Sequence, residues 1–253
     1  MPSCWHAPAG DYRLPEDEVH VWRATLECPS QSAMDLESIL SADERERVRR
    51  FYFERDRSRW LVGRGRLRML LGRYLGVPPE TLSFDYGPFG KPRLTGLKTP
   101  LQFNASHSGN ILLIAVTLDR AVGIDVERIR SDLSVLELAE RFFSPLERGA
   151  LAVLPETLRT DAFFDCWTRK EAYIKARGEG LSLPLNGFHV AFGPGEPAKL
   201  LATRPDAAEA CRWRLRELDV ADGYRAALAV EGAQWALKCW DWAQGCGGDL
   251  PSW

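Results

Sequence analysis

Gly123-Ile124-Asp125-Val126-Glu127, followed about forty residues later by Trp167-Thr168-Arg169-Lys170-Glu171-Ala172-Tyr173-Ile174-Lys175, is the pair of segments from which the rest of this chain can be read. In an extended segment side chains alternate between faces, so Asp125 and Glu127 point one way while Ile124 and Val126 point the other. On a helix, Trp167, Glu171 and Lys175 at i, i+4 and i+8 share a face. Where the strand face meets the helix face, three carboxylates and a lysine converge. Such a cluster repels itself unless a hard cation sits in it, and Mg²⁺ with oxygen ligands suits that place. Each piece alone has a plainer meaning. An isolated Asp-x-Glu on a strand is usually a solvated face. Glu171 and Lys175, in the favourable order, make a surface ion pair worth about 0.3–0.5 kcal/mol. Trp167 reads as core.

Working outward, 19–24 reads as a strand, and Ser41-Ala42-Asp43-Glu44 is a capping box that opens a helix. A second helix spans 57–75 and stops at Gly76, before Pro78-Pro79. Tyr86-Gly87-Pro88-Phe89-Gly90-Lys91-Pro92 is dense in turn formers and reads as a loop. Strands at 101–104 and 111–116 flank a turn at Ser106-His107-Ser108-Gly109-Asn110, the second strand being apolar enough for burial on both faces. A helix follows at 135–142, then a second capping box, Ser144-Pro145-Leu146-Glu147. The helix carrying Trp167 to Lys175 ends near Gly178, and 188–192, 213–215 and 224–230 read as strands. The order strand, helices, strands occurs twice. It predicts an α+β fold of two similar halves, 1–120 and 121–244, with a flexible tail at 245–253 and a ligand cleft between the halves.

A formal net charge of −2 argues against a dedicated nucleic-acid binder. No apolar run reaches the roughly 20 residues of a membrane span, and 1–10 lack the features of a signal peptide. The six cysteines are scattered without Cys-x₂-Cys spacing, as expected of reduced thiols in the cytoplasm.

Phe103-Asn104-Ala105-Ser106-His107-Ser108, Gly123-Ile124-Asp125-Val126-Glu127, Arg141-Phe142-Phe143-Ser144, and Trp167-Thr168-Arg169-Lys170-Glu171 with Lys175 share one order with a known family. Arg49-Arg50-Phe51-Tyr52 and Gly90-Lys91-Pro92 fit it too. In these pieces the chain resembles the 4′-phosphopantetheinyl transferases of the larger, surfactin-synthetase-activating type, over about 41–185. The resemblance implies transfer of the phosphopantetheine arm of coenzyme A to a serine of a carrier protein, with release of 3′,5′-ADP. It implies a monomer built as a pseudo-two-fold pair of α/β subdomains, with coenzyme A in the cleft and no nucleic-acid or membrane partner. Acyl, peptidyl and polyketide carriers, from fatty-acid or nonribosomal peptide synthesis alike, remain open.

By the same resemblance Asp125, Glu127 and Glu171 hold Mg²⁺, with Mn²⁺ as an alternative. Asp125, Glu171 and Lys175 form the catalytic group: Glu171 also takes the serine proton, and Lys175 binds the pyrophosphate and stabilises the leaving ADP phosphate. Ser106 and His107 contact phosphates of coenzyme A, the histidine near the 3′-phosphate. Arg47 and Arg59 fall at cationic phosphate-binding positions. Glu44 stands where some members have lysine, with Arg45 as a substitute. Lys91 and Pro92 lie at the adenine end, where family members use mainly backbone contacts.

Two rival readings stay open. One is another Mg²⁺-dependent phosphotransferase or pyrophosphohydrolase acting on a free nucleotide. The other is an RNA-holding protein that uses the eleven arginines, against five acidic residues, between Ser41 and Arg73. Neither a Walker loop nor a Gly-x-Gly-x-x-Gly fingerprint is present, so an ordinary nucleotide fold is excluded.

Overall fold

The computed structural model describes residues 5–7, 13–204 and 206–242, so the tail expected at 245–253 lies outside the described residues. Strands β1 (Trp5–His6) and β2 (Glu18–Thr25) precede helices α1 (Ser30–Ser38), α2 (Ala42–Arg49) and α3 (Glu54–Leu75). A hairpin of β3 (Ser83–Tyr86) and β4 (Pro92–Thr95) leads to β5 (Leu101–Ser108), β6 (Ile111–Leu118) and β7 (Val122–Arg128). Helices α4 (Val135–Phe142), α5 (Pro145–Ala152) and α6 (Glu156–Arg177) come next. The hairpin β8 (Phe188–Ala191) and β9 (Lys199–Thr203), the short α7 (Glu209–Arg212), β10 (Trp213–Glu217), β11 (Tyr224–Glu231) and β12 (Ala236–Asp241) complete the order.

Two sheets, β1-β12-β2-β6-β5 and β10-β11-β7, stand back to back. Val19, Val21, Leu113 and Ala115 of the first meet Ile124, Val126, Leu228 and Val230 of the second in a dry middle layer. The outer face of the first sheet, through Trp22, Phe103, Ile114 and Val116, is covered by α1–α3. Ala227 and Ala229 on the outer face of the second lie under α4–α6. Both long helices, α3 and α6, have 22 residues and end on a left-handed glycine, Gly76 and Gly178. The mixed α+β class and the pairing of similar halves therefore follow from the order of elements. Alternation along β6 buries Leu112, Ile114 and Val116 on one side and Leu113 and Ala115 on the other, as the continuous apolar run predicts.

Three expectations need correction. Residues 106–108 are strand rather than turn, because their backbone pairs with Ile111–Leu113 of β6; only Gly109 (φ 56°) and Asn110 turn the chain. The 30–38 helix gave no sequence signal. The proposed boundary at 120/121 also does not divide the sheets: β12 returns to the first sheet and pairs in parallel with both β1 and β2. Its register sets Trp240 beside Trp22, and Trp240 and Trp242 pack against the first-half core.

On β2, Glu18, His20 and Trp22 share a face, and Tyr74 of α3 joins them. The Trp22 indole donates to Tyr74 Oη (2.8 Å), so the Tyr74 hydroxyl donates to His20 Nδ1 (2.7 Å) and His20 Nε2–H donates to Glu18 (2.9 Å). Burial, more than the opposing pull of Glu18, lowers the His20 pKa below 6.5, and Lys238 acts in the same sense. The unfolded chain therefore takes up this proton first, so stability falls as pH drops below about 6.5 and levels off under the lower folded-state value. Denaturation midpoints of His20→Gln against the parent should show a shallower acid-side fall; identical slopes would contradict this.

Candidate active site

Strand β7 meets two neighbours. Backbone pairing joins it to β11, with Asp125 opposite Ala227 and Glu127 opposite Arg225. Along β5, polar side chains make the contact: Asn104 Oδ1 accepts the Ile124 N–H (2.8 Å), and Ser108 Oγ accepts the Arg128 N–H (3.0 Å). Ser106 donates to Asp125 Oδ1 (2.9 Å) and Ser108 to Glu127 Oε2 (2.8 Å). Asn104, Ser106 and Ser108 thus form a period-two polar row facing the odd-numbered face of β7. The match of Asn-x-Ser-x-Ser to Asp-x-Glu was visible in the sequence once both were strands.

Helix α6 lies over this face. A Cβ on Gly123 would sit 2.1 Å from the Ala172 carbonyl oxygen and 2.2 Å from the Ala176 nitrogen, so only glycine allows the approach. Gly123→Ala should cost about 3 kcal/mol or more, since helix backbone would have to move. Urea unfolding measures it, and an unchanged midpoint would refute the close packing. This approach brings Lys175 to Asp125: its Nζ donates to Asp125 Oδ1 (2.6 Å) and to Ser106 Oγ (2.9 Å). Asp125 is 3% exposed, and its Oδ2 is buried without a hydrogen-bond partner. An orphan carboxylate oxygen in such a place wants a cation.

Glu171, one turn before Lys175, has its pKa raised by burial and then by the Asp125 charge, with Lys175 opposing. Glu127 is raised by burial and by Asp125, against the Ser108 hydrogen bond and Lys175. Both Glu127 and Glu171 therefore feel the Asp125 charge. Among the described residues, however, no three His, Cys, Asp or Glu side chains are drawn close enough to hold a metal ion as they stand. Ser106, Ser108 and the Lys175 ammonium hold the acids in their present arrangement. The donor set still fits a hard divalent ion: all ligating atoms are carboxylate oxygens, one is an unpartnered buried atom, and two of the acids are strained by like charge.

His107 lies at the mouth on the exposed side of β5. Partial desolvation, followed by the Lys175 and Arg59 charges, holds its imidazole below the ordinary value, with Asp56 opposing. Arg59 donates to Asn110 (2.8 Å) beside it. Arg47 is exposed and lies over the Trp60 ring at 5.3 Å, with no contact tying it to His107. Glu44 is no stand-in for a phosphate-binding lysine. It is buried, closes the capping box and pairs with Arg64 and Arg68 (2.6 Å to the latter), while Arg45 bonds the Leu40 carbonyl. Arg64, Arg66 and Arg68 are all buried, so part of the arginine-rich segment is internal structure, while Arg47, Arg49, Arg50, Arg55 and Arg57 stay exposed. Pro92 opens β4, and Lys91 reaches inward to the backbone carbonyls of Val122 and Ala176. Trp167 packs at the core edge, stacked on Phe163 (5.9 Å) and edge-on to Phe142 (5.5 Å).

Two family descriptions match the chain: a 4′-phosphopantetheinyl transferase superfamily model over 121–229 and a 4′-phosphopantetheinyl transferase N-terminal model over 25–119. The 4′-phosphopantetheinyl transferase HetI of Nostoc sp. is 43% identical over 242 residues, 95% of this chain and 99% of that protein. The 4′-phosphopantetheinyl transferase Sfp of Bacillus subtilis is 34% identical over 193 residues, 76% of this chain and 83% of its own length. The solved holo-[acyl-carrier-protein] synthase of Thermotoga maritima aligns at TM-score 0.37 and 21% identity over 44% of this chain and 62% of that one. That overlap is too loose to bear on the fold. With both halves matched by family and nearly the whole length aligned to HetI, the chain belongs to the 4′-phosphopantetheinyl transferases of the Sfp type.

Proposed function

We propose that this enzyme performs its transfer at Asp125, Glu127, Glu171 and Lys175, moving the phosphopantetheine of coenzyme A to a carrier-protein serine and releasing 3′,5′-ADP. The observation that carries the assignment is the buried, unpartnered Asp125 Oδ2, flanked by two acids of raised pKa and by Lys175. Asp125, Glu127 and Glu171 are the residues that would hold Mg²⁺, or Mn²⁺ in its place. When bound, the ion would neutralise pyrophosphate charge during attack on phosphorus.

The chain's own groups supply the rest. Glu171, with its affinity for protons raised, takes the serine proton. Lys175, fixed on Asp125 and Ser106, offers its remaining donor capacity to the pyrophosphate and to the leaving phosphate. His107 and Arg59 face the 3′-phosphate; bound phosphate would raise the imidazole pKa and so charge it. Arg47 adds an outer cation. The base lies against the turn at Lys91 and Pro92, beside a cavity of about 340 Å³. The partner is an acyl carrier protein or a peptidyl or polyketide carrier domain, met by a monomeric enzyme in the cytoplasm. No described helix is long and apolar enough to cross a membrane.

Incubating the protein with coenzyme A, Mg²⁺ and several apo carriers, then weighing the carriers intact, tests the reading. One added phosphopantetheine is expected, absent with EDTA and absent on a serine-to-alanine carrier. Turnover that ignores EDTA would remove the metal from the account. Hydrolysis of free nucleotide without a carrier would favour the rival phosphohydrolase.

A further inference from the structure

Lys91 makes its bonds to the protein interior. Its Nζ donates to the Val122 carbonyl (3.0 Å) and the Ala176 carbonyl (3.2 Å). Val122 opens β7, three residues before Asp125, and Ala176 directly follows Lys175 at the end of α6. One ammonium therefore clasps the strand that carries Asp125 and Glu127 to the helix that carries Glu171 and Lys175. Among the described residues no carboxylate pairs with Lys91, and burial pushes its pKa down to about 8. It is still charged at neutral pH, and its charge goes into two carbonyls.

The turn that delivers this lysine is itself fixed. Gly87 N–H bonds the Lys91 carbonyl (3.0 Å) and Gly90 N–H bonds the Gly87 carbonyl (2.8 Å). Phe89 of the same turn sits against Gly180, just past α6, where a Cβ would lie 2.8 Å from the phenylalanine Cβ. The Lys91 stem also runs 3.4 Å from where a Gly178 Cβ would be. The tip of a first-half hairpin thus grips the end of the second-half helix at three points, and only one of them is polar.

We propose that Lys91 is a positioning residue. It sets the spacing between β7 and α6, and so the alignment of Lys175 and Glu171 with Asp125 and Glu127. Through it the 87–92 turn, which meets the base of coenzyme A by its backbone, is coupled to the catalytic group. This rests on the active-site reading above. A lysine serving the base with its own ammonium would act on affinity; a tie acts on turnover.

Lys91→Met, close in length and without the charge, separates the two. Amide hydrogen exchange in the absence of coenzyme A should accelerate about tenfold or more at 122–124 and 176–180, with β6 unchanged. Calorimetric affinity for coenzyme A should stay within about threefold while kcat on an apo carrier falls about tenfold or more. Lys91→Cys alkylated to aminoethylcysteine, with the parent alkylated as control for Cys211, should recover both exchange protection and kcat. Weakened coenzyme A binding with kcat and exchange unchanged would make Lys91 a direct ligand and overturn the proposal. Unchanged exchange would overturn it on its own. Should the parent fail on every carrier, the active-site reading falls, and exchange still decides whether the tie exists.

Discussion

Asp125→Asn is expected to reduce phosphopantetheine transfer by about 10³-fold, equivalent to about 4 kcal/mol of lost transition-state stabilisation, with little change in melting temperature. The substitution keeps shape and leaves an oxygen for Ser106 and Lys175, so the local hydrogen bonds survive. What disappears is the charge at the deepest acid of the cluster, 3% exposed and holding the unpartnered Oδ2. Glu127 and Glu171 both feel that charge, and the pKa of each should fall part of the way back once it is gone, with burial still holding it up. Intact-mass assays of a folded variant read the loss directly. Near-normal turnover would show that the chemistry lies elsewhere.

The largest effect on stability is expected beneath the site. Lys170, immediately before Glu171, is fully buried, pairs with Glu147 (2.8 Å) and donates to the carbonyls of Leu185 and Phe188 (2.7 Å each). Glu147 also accepts the Ser144 and Val190 N–H groups (2.9 Å each), so one ion pair joins α5, α6 and β8. Burial lowers the Lys170 pKa and the Glu147 charge counters it. Glu147→Ala strands a buried ammonium, at a cost of about 3–5 kcal/mol. In a chain of this size that is a fall of about 10 °C in Tm. Combining it with Lys170→Met should recover part of the loss, because the charge leaves with its partner. A Tm within about 2 °C of the parent for Glu147→Ala alone would refute the account.

Legibility followed period. Both capping boxes, the ends of α3 and α6 at Gly76 and Gly178, and the doubly buried β6 were readable because each is dictated by neighbours in sequence. Asp125, Glu171 and Lys175 were found from alternation and helical spacing, and the structure joins Lys175 to Asp125. The capping box at Glu44 was legible, but its ion pairs with Arg64 and Arg68 were not, since they exist only once the two helices are docked. Arg169 and Lys170 likewise read as part of a functional motif, whereas their side chains are buried anchors. No local pattern announces that a late segment such as β12 pairs with an early one. That information lies in the long-range core, in Trp22 against Trp240.

The placement of β12 between β1 and β2 also sets an order of events during synthesis. The strand that completes the first sheet is the last described element to leave the ribosome. Until it arrives, β2 presents an open edge along the aromatic patch of Trp22 and His20, of the kind that invites pairing with another chain. Final closure of the first sheet therefore waits for the whole second half. A nascent chain stalled between β11 and β12 would already carry Asp125, Glu127, Glu171 and Lys175 on a fold that could not yet shut.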